Sequence, residues 1–224
     1  MDAERTGSRR AIVIVDMLVC FCRRGALYSP RYDPMVPRLV DHLVAAEAEG
    51  ASLVFLVDTH APDDPEFAMF PPHCVEGSGE DEVIPELEEL AARGTVVRKR
   101  TFSGFHGTGL DAVLERLAPE VVEVMGVCTD ICVLHTVAGL RARGYEVLVR
   151  KDLVETYDAP GHDAEEFNRF ALGHIEGAVK ITKFLGNAVL DEYHDIEAAG
   201  NHRKNVVDDY SAFLQRLHAV GGEG

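Results

Sequence analysis

The chain has 224 residues, enough for one domain with a sizeable core, or for one domain with an added terminal element. A hydrophobic fraction of 46% excludes global disorder, and no apolar run approaches the roughly 20 residues of a membrane span. The formal net charge of −16 argues against a nucleic-acid partner, which would require clustered Lys and Arg, and reads as a device for solubility.

The opening residues, MDAERTGSRR, lack the long apolar stretch and cleavage site of a secretory leader. Five cysteines is an odd number. Together these predict a reduced, cytoplasmic setting rather than a disulfide framework. Five apolar segments then read as buried strands: 11–16, 52–58, 95–99, 121–127 and 145–152. Helical spacing marks 36–48 and 108–117, and a third helix over 131–143 ends at Gly144, a natural C-cap. Strand alternating with helix predicts an α/β fold of three layers, with a central, mostly parallel sheet of about six strands. The sixth would come from AVKITKF, 178–184. Beyond a first domain of 1–186, residues 187–224 form an extension that turns polar and acidic. It closes on a candidate amphipathic helix bearing Val206, Tyr210, Phe213, Leu214 and Leu217 on one face. That face packs either on its own domain or on a neighbouring subunit, which leaves a homo-oligomer open.

Ligands of open parallel sheets bind at the carboxyl ends of the strands. Asp16, Asp58 and Lys99 each end a predicted strand, and Cys132 lies just past the fourth. A fold of this class therefore brings four distant residues to one edge. With Thr129 or Asp130 as cap, Cys132 falls in the first turn of a helix, where the dipole favours a thiolate and lowers a thiol pKa. An Asp and a Lys beside such a cysteine form a consistent arrangement for activating a nucleophile. Taken singly, each has a plainer reading: a buried cysteine, a turn-capping aspartate, a solvated basic patch. A second group lies in VDTHAPDDPEFAMFPPHC, where Asp58, His60, Glu66 and His73 offer two imidazoles and two carboxylates. That donor set suits Zn²⁺, with Fe²⁺ or Mn²⁺ as alternatives. Asp63, Asp64 and Cys74 compete for the same ion.

Four motifs carry a resemblance: IVIVDM…F…GAL, D-x-H…E-F…F-P-P-H-C-V-x-G, K-R-x-F-S-G-F-x-G-T-x-L and G-V-x-T-D-I-C-V-x-x-T. Together they resemble the isochorismatase-like cysteine hydrolases, and among these the bacterial nicotinamidases, over about Ala11 to Phe184. The resemblance implies a catalytic triad of Asp16, Lys99 and Cys132, and an oxyanion hole of the Cys128 and Cys132 N–H groups. It also implies a cis peptide at Val127–Cys128 and aromatic contacts to the substrate ring from Phe21 and Phe70. Family metal ligands map onto Asp58, His60 and His73, with Glu66 at a variable fourth position. The implied reaction is hydrolysis of nicotinamide to nicotinate and ammonia through a thioester, with the metal anchoring the ring nitrogen. The alternative is another small amide or carbamoyl substrate. Where many relatives read D-M-Q-N-D-F this chain has DMLVCF, and Phe70 replaces a frequent Trp, so the pocket departs from the family pattern. Cys128 either packs under the site or pairs with Cys132 on oxidation.

Overall fold

The computed structural model describes residues 9–179. Its strands are β1 (Arg10–Val15), β2 (Ser52–Asp58), β3 (Thr95–Lys99), β4 (Val121–Val127) and β5 (Glu146–Glu155). They form one parallel sheet in the order β3-β2-β1-β4-β5. The helices are α1 (Val19–Cys22), α2 (Val36–Ala48), α3 (Glu88–Arg93), α4 (Leu110–Leu117), α5 (Leu134–Ala142) and α6 (Ala164–Val179).

Position in the sheet explains each strand's composition. β1 and β4 lie at the centre with helices on both faces, and every residue of β4 is buried. Alternate β1 side chains enter opposite cores. Ile12 and Ile14 pack with Leu39 and Leu43 of α2, while Ala11, Val13 and Val15 pack with Val137 and Leu140 of α5. Edge strand β3 alternates instead, with Val96 and Arg98 outward and Val97 and Lys99 inward. β1 and β4 approach closely where Gly126 passes Val15. A Cβ at Gly126, whose φ is +113°, would lie 2.1 Å from the Val15 carbonyl oxygen.

The five strands and three helices read from the sequence are present. The described residues contain five strands. Ala178 and Val179, which open the candidate sixth strand, end α6; the rest of that segment and the whole 187–224 extension lie outside the described residues. Cys20 and Cys74 form a disulfide, contrary to the expectation of reduced cysteines only. They are 54 residues apart in sequence, but the loops that follow the paired strands β1 and β2 bring their Cα atoms to 5.7 Å. Cys22, Cys128 and Cys132 are free thiols.

Candidate active site

The chain runs outward from β1 to β3 and then crosses to β4 on the other side of β1. The crevice at that reversal is where open sheets place ligands. Asp16 follows β1 in a left-handed conformation, φ +49°, which Asp and Asn tolerate best among non-glycine residues. Its amide donates to the Leu56 carbonyl (3.1 Å), and its Oδ1 accepts from the Asp58 amide (3.1 Å). Lys99 ends β3 and is 1% exposed. Its Nζ lies 2.8 Å from Asp16 Oδ2 and 3.1 Å from Asp58 Oδ1, and donates to Cys132 Sγ at 3.7 Å. The structure thus brings together all three residues of the predicted triad.

Cys132 is reached differently from the expectation. Residues Thr129–Val133 form a single π-helical turn ahead of α5, and Cys128 takes the N-cap position with no side-chain cap. Neither Thr129 nor Asp130 caps the helix; Asp130 is engaged with Thr156 and His162. The expected depression of the thiol pKa is also reversed. Burial pushes it well above the ordinary value, and Asp16 and Asp58 add to that while Lys99 opposes it. Cys132 is thus held toward its thiol form. Beside it, burial and the neighbouring Asp58 raise the Asp16 carboxyl to about 6, with Lys99 and a hydrogen bond to Cys132 pulling the other way. Burial opposes the charge on Lys99, but Asp16 and Asp58 outweigh it and hold the ammonium. The Val127–Cys128 peptide is cis. Cys128 packs beneath the site with its Sγ 3.3 Å from the Tyr32 hydroxyl, and burial lifts its thiol to about 12.

Ligand atoms of Asp58, His60, Glu66 and His73 lie within 4.8 Å of one another. The first two come from the end of β2, Glu66 from the 3₁₀ turn Pro65–Ala68, and His73 from the segment behind Pro71–Pro72. His73 Nδ1 contacts the Pro71 carbonyl oxygen (2.8 Å), which turns Nε2 toward Asp58 (3.5 Å). His60 is fully buried, yet neither ring nitrogen makes a well-directed hydrogen bond. Burial opposes protonation of His60, but Asp58 and Asp64 outweigh it and raise its pKa. Burial raises the Asp58 carboxyl too, and Lys99, His60 and His73 more than reverse that. Two imidazoles and two carboxylates, with both His60 nitrogens and Asp58 Oδ1 lacking a well-directed hydrogen bond, fit a divalent cation of the zinc type. Two of the three competitors are otherwise engaged, and Asp63 is exposed and outside the cluster. Cys74 is held in the disulfide, and Asp64 contacts the outer nitrogen of His60 (3.2 Å) while accepting from the Glu66 amide (3.0 Å).

Between these groups lies a cavity of about 200 Å³. Phe21 and Phe70, expected from the sequence, line it, and so do Phe102, Ile131 and Tyr157, which sequence reasoning missed. Tyr157 stands two residues past the end of β5, which runs three residues beyond the strand read from the sequence and so hid it from the strand-end rule. A larger, shallower groove around Asp33 and Val36, about 610 Å³, contains no member of the triad or the metal cluster.

A parallel three-layer fold with a Cys-Asp-Lys cluster beside a His/carboxylate cluster defines a class of α/β hydrolytic enzymes. The isochorismatase domain family matches residues 10–176, three quarters of the chain, and the chain belongs to the isochorismatase-like hydrolase superfamily. It is 32% identical over 179 residues to nicotinamidase 1 of Arabidopsis thaliana, covering 69% of this chain and 72% of that protein. Among solved structures it resembles N-carbamoylsarcosine amidase from Thermoplasma acidophilum, with a TM-score of 0.65 and 30% identity over 75% of this chain and 91% of that one. It also resembles the pyrazinamidase of Pyrococcus horikoshii in complex with zinc, with a TM-score of 0.66 and 26% identity over 79% of this chain and 99% of that one.

Proposed function

We propose that this protein is a cysteine amidohydrolase that converts nicotinamide and water to nicotinate and ammonia. The observation that carries the reading is a single buried ammonium, Lys99, within 2.8 Å of Asp16 and 3.7 Å of Cys132, at an aromatic cavity. Asp16 accepts the Sγ proton as the sulfur attacks the carboxamide carbon. Lys99 holds the resulting charges, and the backbone N–H groups of Cys128 and Cys132 receive the developing oxyanion. Asp16 passes its proton to the departing ammonia, which leaves a thioester on Cys132. It then deprotonates the water that releases the acid. A carboxyl near pH 6 is suited to moving a proton in both directions. Asp58, His60, Glu66 and His73 would hold a divalent cation that supplies a Lewis-acidic contact to the ring nitrogen and so orients the amide. Phe21 and Phe70 flank the ring.

The test is ammonia release from nicotinamide, pyrazinamide and an N-carbamoyl amino acid, with and without chelator. Turnover of nicotinamide by the parent and none by Cys132→Ala is expected. Appreciable turnover by Cys132→Ala removes the nucleophile assignment, and a parent that hydrolyses only the carbamoyl compound moves the substrate. That second reading has its own support. The chain is 30% identical to N-carbamoylsarcosine amidase from Thermoplasma acidophilum, whose name gives a carbamoyl substrate.

A further inference from the structure

The loop after β5 closes one side of the cavity with Tyr157, Asp158 and Ala159, and neither the triad nor the metal cluster uses it. It doubles back at Pro160–Gly161, where Gly161 has φ +81°, and Ala159 and His162 exchange reciprocal backbone hydrogen bonds of 2.9 Å. The reversal slides the His162 imidazole under Tyr157. The two rings are parallel to within 1° at 4.1 Å, and Phe167 of α6 covers the opposite face at 3.8 Å. Both ring nitrogens meet oxygens: Nδ1 lies 2.8 Å from the Tyr157 carbonyl, and Nε2 lies 2.9 Å from Asp130 Oδ2. Asp130 accepts from the Thr156 hydroxyl through its other oxygen, at 2.6 Å. The two contacts fix the ring at both ends, against the backbone of its own loop and against the turn that carries Cys132.

One side chain therefore ties three separate pieces together: the turn that carries Cys132, the aromatic wall of the cavity, and α6. The turn has supports of its own, since the Ile131 and Val133 amides donate to the Cys128 carbonyl and Thr129 and Val133 are buried. The Tyr157 ring is only half-buried, and the His162 stack is its one aromatic contact among the described residues. We propose that His162 is a positioning residue that sets the distance between the Tyr157 wall and Cys132, and so selects for substrates with a flat ring next to the amide. This rests on the reading of Cys132 as the nucleophile.

The experiment compares alkylation of Cys132 by iodoacetamide and by N-phenyl iodoacetamide, followed by peptide mass spectrometry. In both, Sγ displaces iodide. The parent is expected to prefer the phenyl reagent. In His162→Ala that preference falls at least fivefold while the iodoacetamide rate stays within about twofold. His162→Phe keeps the packing volume but has no ring nitrogens, and the same fall is expected there, which covers the case of a misfolded alanine variant. An unchanged preference in whichever variant folds overturns the proposal, as does an equal fall in both rates. With an amide substrate the same variants should raise KM by about tenfold and leave kcat within about threefold. The alkylation ratio needs no turnover, so absence of nicotinamide hydrolysis would defeat the functional reading without touching this one.

Discussion

Replacing Asp16 by Asn separates chemistry from folding at this site. The left-handed backbone at Asp16 suits Asn almost as well, and the amide keeps an oxygen for the Asp58 N–H. What is lost is the proton acceptor, and turnover should fall by about 10²–10⁴. Stability should respond in the opposite sense as pH rises. The Asp16 carboxyl is raised from 3.8 to about 6 in the folded chain. A group raised on folding contributes stability that is present below its unfolded pKa and lost as pH climbs through its folded pKa. Between pH 4.5 and 7.5 that loss spans about 1.5 units, or about 2 kcal/mol, in the parent and is absent from Asp16→Asn. Urea unfolding in the presence of chelator, at the two pH values, reads the difference directly. Asn should gain about 2 kcal/mol on the parent between the lower and the higher pH. A constant gap would refute the raised carboxyl, and parent-like turnover would refute the base.

Three more outcomes are expected. Asp58→Ala and His73→Ala should each abolish stoichiometric binding of a divalent cation, measured by metal analysis after dialysis; a full equivalent in both would remove the metal assignment. Gly126→Ala should cost about 3 kcal/mol or more, because it combines a left-handed φ with a clash against the Val15 carbonyl. Denaturation within error of the parent would show that β1 and β4 can separate there. Cys20→Ser should lose about 4 kcal/mol in oxidising buffer, as expected for a cross-link closing a loop of this length, and nothing in strong reductant. Equal stability in both buffers would show that the bond does not form.

The sheet was legible because its strands are short, mostly apolar runs, and some of them end on charged residues. Asp58 and Lys99 end β2 and β3, and a charge closing a buried run marks the edge where a ligand sits. The Cys20–Cys74 pairing was not legible. It depends on which strand ends are neighbours, and nothing local to either cysteine records that. The thiol pKa of Cys132 was misjudged for a related reason. Helix position is readable from sequence, whereas burial between two carboxylates is a tertiary property that outweighed it. His162 stood in the chain as one of ten histidines, and only the reversal at Gly161 gives it a role.

The order β3-β2-β1-β4-β5 has a consequence for how such an enzyme changes over time. Asp16, Lys99 and Cys132 sit at the ends of β1 and β3 and in the turn behind β4. The cavity walls at Phe70, Phe102 and Tyr157 hang from three separate loops. The side chains of Phe70, Phe102 and Tyr157 make none of the hydrogen bonds or ion pairs that join Asp16, Lys99 and Cys132. One reaction can therefore be redirected among many amides by drift at the periphery, while the innermost strands stay as they are.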